Sequence, residues 1–429
     1  MEYPLKREKI AEGVYFNSII DKRFKTNRIS VNLFLKLDKE TATAYAVLPF
    51  LLRKGCATCP DFTELNKKLM GLYGAFLGAD VRKIGDSQVL NLSISCLDDA
   101  YALEQEPLTQ QASSILADIL LKPAFVEGKF KEDDLKVEKQ NLTDLIQSEI
   151  NDKRSYAIGR LTELMCADEP YGINKYGSIE QAEKLDAEAV TAAYQKMIQT
   201  ADIQIMYVGS GDHRIALNAF REAFAGVSRE NVYQPDTTAG NEVGEVREHT
   251  DTFQVAQSKL VLGFRTGSTP QDDHGMRLMT ALFGGTPFSK LFLNVRERLS
   301  LCYYCAARLD RIKGIVLVDC GVETENIEKA REEILAQLTS LQNGEFTEEE
   351  LENTKLSLIN SMKTVGDSPS YVEVWYLSQI CYNTQNTPQN EIDLENKVTR
   401  DEVIAAAKQV KLDTVYVLTG KQEEGKGDE

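Results

Sequence analysis

Histidine is scarce in this chain. Among 429 residues there are three, His213, His249 and His274, and none is spaced as HExxH or HxxEH. The arrangements by which one helix holds a catalytic zinc are therefore missing. At the edges of loops, such histidines read as solvated or capping side chains. There is no apolar run of 18 residues, so no membrane-crossing helix is expected. Basic residues are outnumbered, 49 Lys+Arg against 66 Asp+Glu, for a net charge of −17. That balance argues against a nucleic-acid partner and against anionic lipid, and suits solubility or a cationic peptide ligand. No GxSxG elbow, P-loop or dinucleotide fingerprint is found. The opening MEYPLKREKIAEG has charges and an early proline but no apolar core, which predicts a chain without a secretory signal, in the cytoplasm. The eight cysteines are then expected as reduced thiols. Two pairs have metal-ligand spacing, Cys56-x-x-Cys59 and Cys302-x-x-Cys305. A four-cysteine zinc site needs both to converge from distant parts of the chain, and no metal is expected here.

What is present reads as one half written twice. A polar stretch over 228–252, with Pro, Gly, Asn and Asp and no hydrophobic period, predicts a linker between a first domain at 1–227 and a second at 253–429. Each half begins with an alternating strand and an apolar helix, Ile29-SVNLFLKL with Ala44-YAVLPFLL against Lys259-LVLGFRT with Met276-RLMTALF. A helix and strand pair follow, then a helical hairpin, then a closing helix and strand. Phe130, Leu135 and Leu142 map onto Phe346, Leu351 and Leu358 at a constant offset. Val190 and Met197 likewise map onto Val403 and Val410. In both hairpins a Phe introduces an acidic first turn, KEDD or TEEE, where carboxylates meet the positive helix end. Two α+β domains of similar fold follow, each an antiparallel-rich sheet with helices on one face.

Within that order stand four phrases: Pro170-Tyr171-Gly172 to Gly177, Val208-Gly209-Ser210-Gly211-Asp212, Gly74-Ala75-x-x-x-Ala79, and Phe288-Ser289-x-Leu291-Phe292-x-x-Val295-Arg296-Glu297. Together they resemble the M16 metallopeptidases, the family of pitrilysin, insulin-degrading enzyme and mitochondrial processing peptidase. The nearest likeness inside it is to the metal-free, non-catalytic subunits of bacterial two-gene peptidase pairs. The resemblance implies two homologous M16-type (LuxS/MPP-like) domains forming half of a clamshell.

Active members of that family bind zinc through HxxEH. Aligned on the phrase that follows, the motif falls on Ala46-Val47-Leu48-Pro49-Phe50, so Ala46 and Phe50 stand for the histidines and Pro49 for the general base. The family's third ligand, the second Glu of E-x6-E, falls on Leu145, while Glu138 keeps the first. No zinc or other cofactor is expected in this chain. Arg296 and Tyr303, seven apart, match the Arg and Tyr that the family's zinc-free half aims at the scissile carbonyl. Helical pairing for the Arg and a core place for the Tyr are the alternatives. Gly74, Ala75 and Ala79 match the entry to the strand facing the cleft, where a peptide could add to a sheet edge. The implied assembly is a heterodimer with a homologous HxxEH subunit that carries the zinc and encloses a peptide. A structural or peptide-binding homodimer, and a metalloenzyme built on the CxxC pairs, are the competing readings.

Overall fold

The strand Thr26–Lys36 shows how the sheets form. Ile29, Val31, Leu33 and Leu35 point into an apolar core, while Arg28, Ser30 and Asn32 alternate onto the other face. The computed structural model describes residues 4–235, 239–240, 242–271 and 273–420. In chain order its strands are β1 (Lys6–Ala11), β2 (Val14–Ile20), β3 (Thr26–Lys36), β4 (Phe76–Ile84), β5 (Ser87–Leu97), β6 (Asp202–Gly209), β7 (Arg247–Thr252), β8 (Ser258–Arg265), β9 (Cys302–Asp310), β10 (Ile315–Val322) and β11 (Lys411–Thr419). They make two sheets, ordered β1-β2-β6-β3-β5-β4 and β7-β11-β8-β10-β9. Apart from the added β1, the second order repeats the first strand for strand. Each sheet has one parallel pair, β2 with β6 and β7 with β11, and is otherwise antiparallel. The duplication legible in the sequence is thus a duplication of topology.

On the core face of the first sheet pack the helices Ala42–Leu52, Leu108–Leu121, Ala187–Thr200 and His213–Phe224. The second sheet's core takes side chains from His274–Thr280, Ile327–Gln342, Glu348–Lys363 and Arg400–Gln409. The hairpin starts behave as expected. Glu132, Asp133 and Asp134 fill one first turn, and Thr347 with Glu350 closes a capping box at the other.

The compact units do not follow the contiguous halves. One is built from residues 1–147, 169–236 and 365–387, the other from 148–168, 237–364 and 388–429. Helix Pro369–Cys381, from the second half of the chain, covers the outer face of the first sheet. There Glu373, 1% exposed, hydrogen-bonds Arg28 and accepts from Ser30 Oγ at 2.7 Å. Helix Lys153–Met165, from the first half, covers the outer face of the second sheet. A Cβ on Gly263 of β8 would come within 2.6 Å of Met165 Sδ. Arg247 and Arg265, both paired with Asp413, also donate to the carbonyl of Met165 at that helix's C-terminus. The offset that aligns the hairpins carries one helix onto the other, so equivalent helices of the repeat are exchanged. The expected division at 228–252 is corrected in a second way. Arg229 donates to the carbonyls of Glu12 and Ile198, Tyr233 Oη lies 3.0 Å from Ser87 Oγ, and 247–252 is strand β7. The unpatterned link is shorter than predicted, and 236–238 and 241 within it lie outside the described residues.

Candidate functional site

Ala46, Pro49 and Phe50 lie on helix Ala42–Leu52, nine of whose eleven residues are buried. A helix apolar on all sides belongs to the core. Ala46 is fully buried and Phe50 packs against the same apolar cluster, as does Leu145 of helix Glu132–Ser148. Pro49 sits inside the helix, where its ring removes one backbone hydrogen bond. None of these four side chains offers a lone pair to a cation, so the residues do not fit the zinc of the active relatives. Glu138, which the resemblance aligns with the family's first glutamate, is 2% exposed and lies 2.6 Å from Lys54 Nζ, just beyond the helix end. Asn141 Nδ2 donates to its other oxygen at 3.0 Å. An ammonium therefore faces the Glu138 carboxylate, a pairing that only the fold reveals.

Arg296 and Tyr303 are displayed differently. The segment Leu291–Arg298 is a π-helical turn, anchored by Leu291 and Val295, and Arg296 leaves it with its side chain 41% exposed. Its guanidinium stacks 4.6 Å from the Phe292 ring centroid and lies 3.6 Å from Glu297. The chain then reverses through Ser300, whose φ of 49° is left-handed, and Leu301 N bonds Val295 O at 3.1 Å. In β9, Cys302 faces Val322 and Tyr304 faces Gly321, which leaves Tyr303 as the extra residue of a β-bulge. A bulge re-aims a side chain away from the pleat, and Tyr303 is 63% exposed. Glu323 beside its hydroxyl raises the Tyr303 pKa, so the phenol keeps its proton. The bulge was invisible in the sequence, where a seven-residue spacing said only that helix gives way to strand.

Gly74 turns the chain into β4 with φ +74°, Ala75 is buried and Ala79 half-buried. β4, the candidate peptide edge named in the sequence, is a terminal strand of its sheet, as β9 is of the other. Phe76 on β4 is 67% exposed. The Pro170-Tyr171-Gly172 to Gly177 phrase has a packing cause: a Cβ on Gly177 would stand 1.8 Å from Thr43 Oγ1, at φ +74°. The phrase thereby seats the start of helix Ala42–Leu52.

Each CxxC pair is absorbed by the apolar core of its own unit. Cys320 joins the second pair, opposite Cys305 across β9 and β10. Contact among the three thiols pulls the Cys302 thiol down and pushes Cys305 and Cys320 up. Of the histidines, His249 on β7 is exposed, and His213 opens a helix whose cap is Asp212. His274 departs from the expectation: its side chain is 18% exposed and faces a buried glutamate. No helix among the described residues is long and apolar enough to cross a membrane.

Residues 184–358 match the family model described as Peptidase M16 inactive domain. The chain is 30% identical over 418 residues to "Probable inactive metalloprotease YmfF" of Bacillus subtilis (strain 168), covering 96% of each. Among solved structures, a conserved protein from Enterococcus faecalis V583 superposes with a TM-score of 0.90 at 27% identity, covering 98% of this chain and all of that one. A Peptidase M16 inactive domain structure from Pseudomonas fluorescens gives 0.79 at 16% identity, over 97% and 98% of the two chains, a likeness of fold.

Proposed function

The chain belongs to the M16 peptidase family, and from that footing we propose that it is a non-catalytic subunit of a heterodimeric zinc peptidase. One observation carries the reading: the zinc positions Ala46, Pro49, Phe50 and Leu145 are apolar and packed with the core, while Arg296 and Tyr303 stay accessible. A homologous partner with HxxEH would supply the metal, which polarises the scissile carbonyl and activates water. This chain's part is donation. As water adds, charge grows on the carbonyl oxygen, and a guanidinium and a protonated phenol aimed there stabilise it more than the ground state. The peptide backbone would add as a strand to β4 or β9. All eight cysteines are free thiols, which suits the cytoplasm.

The test is coexpression with a homologue bearing HxxEH, followed by peptide hydrolysis. Arg296→Ala and Tyr303→Phe are each expected to lower kcat by about 10²-fold, with complex formation unchanged. Full activity in both variants would remove the trans-catalytic role. The exposed edge at Phe76 also favours a second reading, a homodimer that binds peptides without cutting them. A stable homodimer that binds peptide and ignores every HxxEH homologue would select it.

A further inference from the structure

The second unit holds a buried cluster that the proposed function does not use. Glu391 and Glu395 are four apart on helix Pro388–Lys397, so both leave the same face. They are 2% and 0% exposed. His274 opens helix His274–Thr280, and its Nε2 lies 3.4 Å from Glu391 Oε2. One ligand atom from each of the three falls within 4.8 Å of the others.

Arg277 is the resident cation. It hydrogen-bonds Glu391, and its Nη1 lies 2.9 Å from Glu395 Oε1. Nevertheless neither Glu395 oxygen accepts an aligned hydrogen bond, and His274 Nε2 has none, although all three atoms are sealed from solvent. The neighbouring acid Asp273 offers no relief, because Arg311 grips both its oxygens at 2.6 and 2.7 Å. The Glu395 carboxylate thus has the Arg277 guanidinium beside it but no aligned hydrogen bond. A buried carboxylate without aligned donors is costly, and an ion held at Glu395 would relieve that cost.

We propose that His274, Glu391 and Glu395 bind one divalent transition-metal ion, of the zinc, manganese or cobalt type, pinning helix Pro388–Lys397 to helix His274–Thr280. One imidazole and two carboxylates form a mixed nitrogen–oxygen set that such ions accept. With bonds of about 2.1 Å, a tetrahedron has edges of about 3.4 Å, and the His274–Glu391 separation already equals that edge. Closing Glu395 onto the ion means bringing in a ligand atom that already lies within 4.8 Å of the other two. The Glu395 carboxylate has lone pairs to spare beyond the one that faces Arg277. The site is independent of the peptidase reading and of the thiols.

The experiment uses the full chain, stripped by chelator and titrated with Co²⁺ and Mn²⁺ alone. Saturable uptake of about one ion per chain is expected, with nitrogen–oxygen d–d absorption, no thiolate charge-transfer band, and a rise in Tm. His274→Gln and Glu395→Gln should each weaken binding by more than the 10–100-fold that outer-sphere changes typically cost. If Glu395→Gln fails to fold, His274→Gln gives the same reading from a partly exposed position. Arg277→Gln should fold when metal is present and bind it at least as tightly, since a competing cation has gone. Cys302→Ser should bind as wild type does. The proposal is overturned if the wild-type chain shows no saturable uptake. It falls equally if His274→Gln leaves affinity unchanged, if a thiolate band appears and Cys302→Ser abolishes it, or if metal fails to rescue Arg277→Gln.

Discussion

The two copies of the repeat share a strand order and differ in what their first helix carries. Helix Ala42–Leu52 has no ionisable side chain except the phenol of Tyr45, and burial pushes that up. Its counterpart near His274–Thr280 brings in His274 and Arg277 and meets Glu391 and Glu395. The same contrast separates the family positions. Those of the first copy have joined the core, while Arg296 and Tyr303 of the second stand out from it. A duplicated fold therefore lets the first helix of one copy be pure packing while its counterpart in the other keeps buried polar groups, because the sheet order constrains neither.

The most damaging way to challenge the comparison is to treat the copies as independent. A chain ending at Val227 lacks helix Pro369–Cys381, so Arg28 and Ser30 lose Glu373. We expect no cooperative unfolding transition in circular dichroism, and recovery when residues 365–387 are fused back. Next comes Glu373→Ala in the full chain. Removing one member of a buried, hydrogen-bonded pair costs about 3–5 kcal/mol, to be read from denaturant midpoints. A loss under about 1 kcal/mol would mean that the polar layer is incidental. Third, restoring histidines to the first copy, Ala46→His with Phe50→His, should cost about 2–4 kcal/mol from overpacking and buried polar atoms. It should also gain no zinc, since Leu145 still fills the third position. Zinc uptake by that variant would contradict the account of the site as core. Smallest is Tyr303→Phe, which should shift stability by no more than about 0.5 kcal/mol, as befits a side chain 63% exposed. Thermal denaturation checks this, and a large shift would make Tyr303 a packing residue.

Much of this was legible in the sequence, for a physical reason. Hydrophobic alternation in β3 and β8 and the constant offset of Phe130 and Phe346 are local patterns, and local patterns set sheet order and helix faces. The apolar identity of Ala46 and Leu145, where the resemblance places ligands, is equally local. What escaped was decided by tertiary partners. The exchange of helices Lys153–Met165 and Pro369–Cys381 leaves no mark on either helix alone. The bulge at Tyr303 depends on register against Val322 and Gly321. Lys54 opposite Glu138 joins residues far apart in the chain. The Glu391-x-x-x-Glu395 spacing was readable, but nothing nearby pointed to His274.

The exchanged helices also set a timetable for synthesis. The first sheet can be laid down once β6 has left the ribosome, yet the helix that shields its polar side arrives only with Pro369–Cys381. Roughly 160 further residues intervene, which at 5–20 residues per second is roughly 8–32 s of translation. Through that interval the nascent chain presents Arg28, Ser30 and their neighbours to water and to chaperones. Slowing or stalling translation beyond β6 should therefore lengthen the window for misassembly, a vulnerability that a fold with self-contained halves would not have.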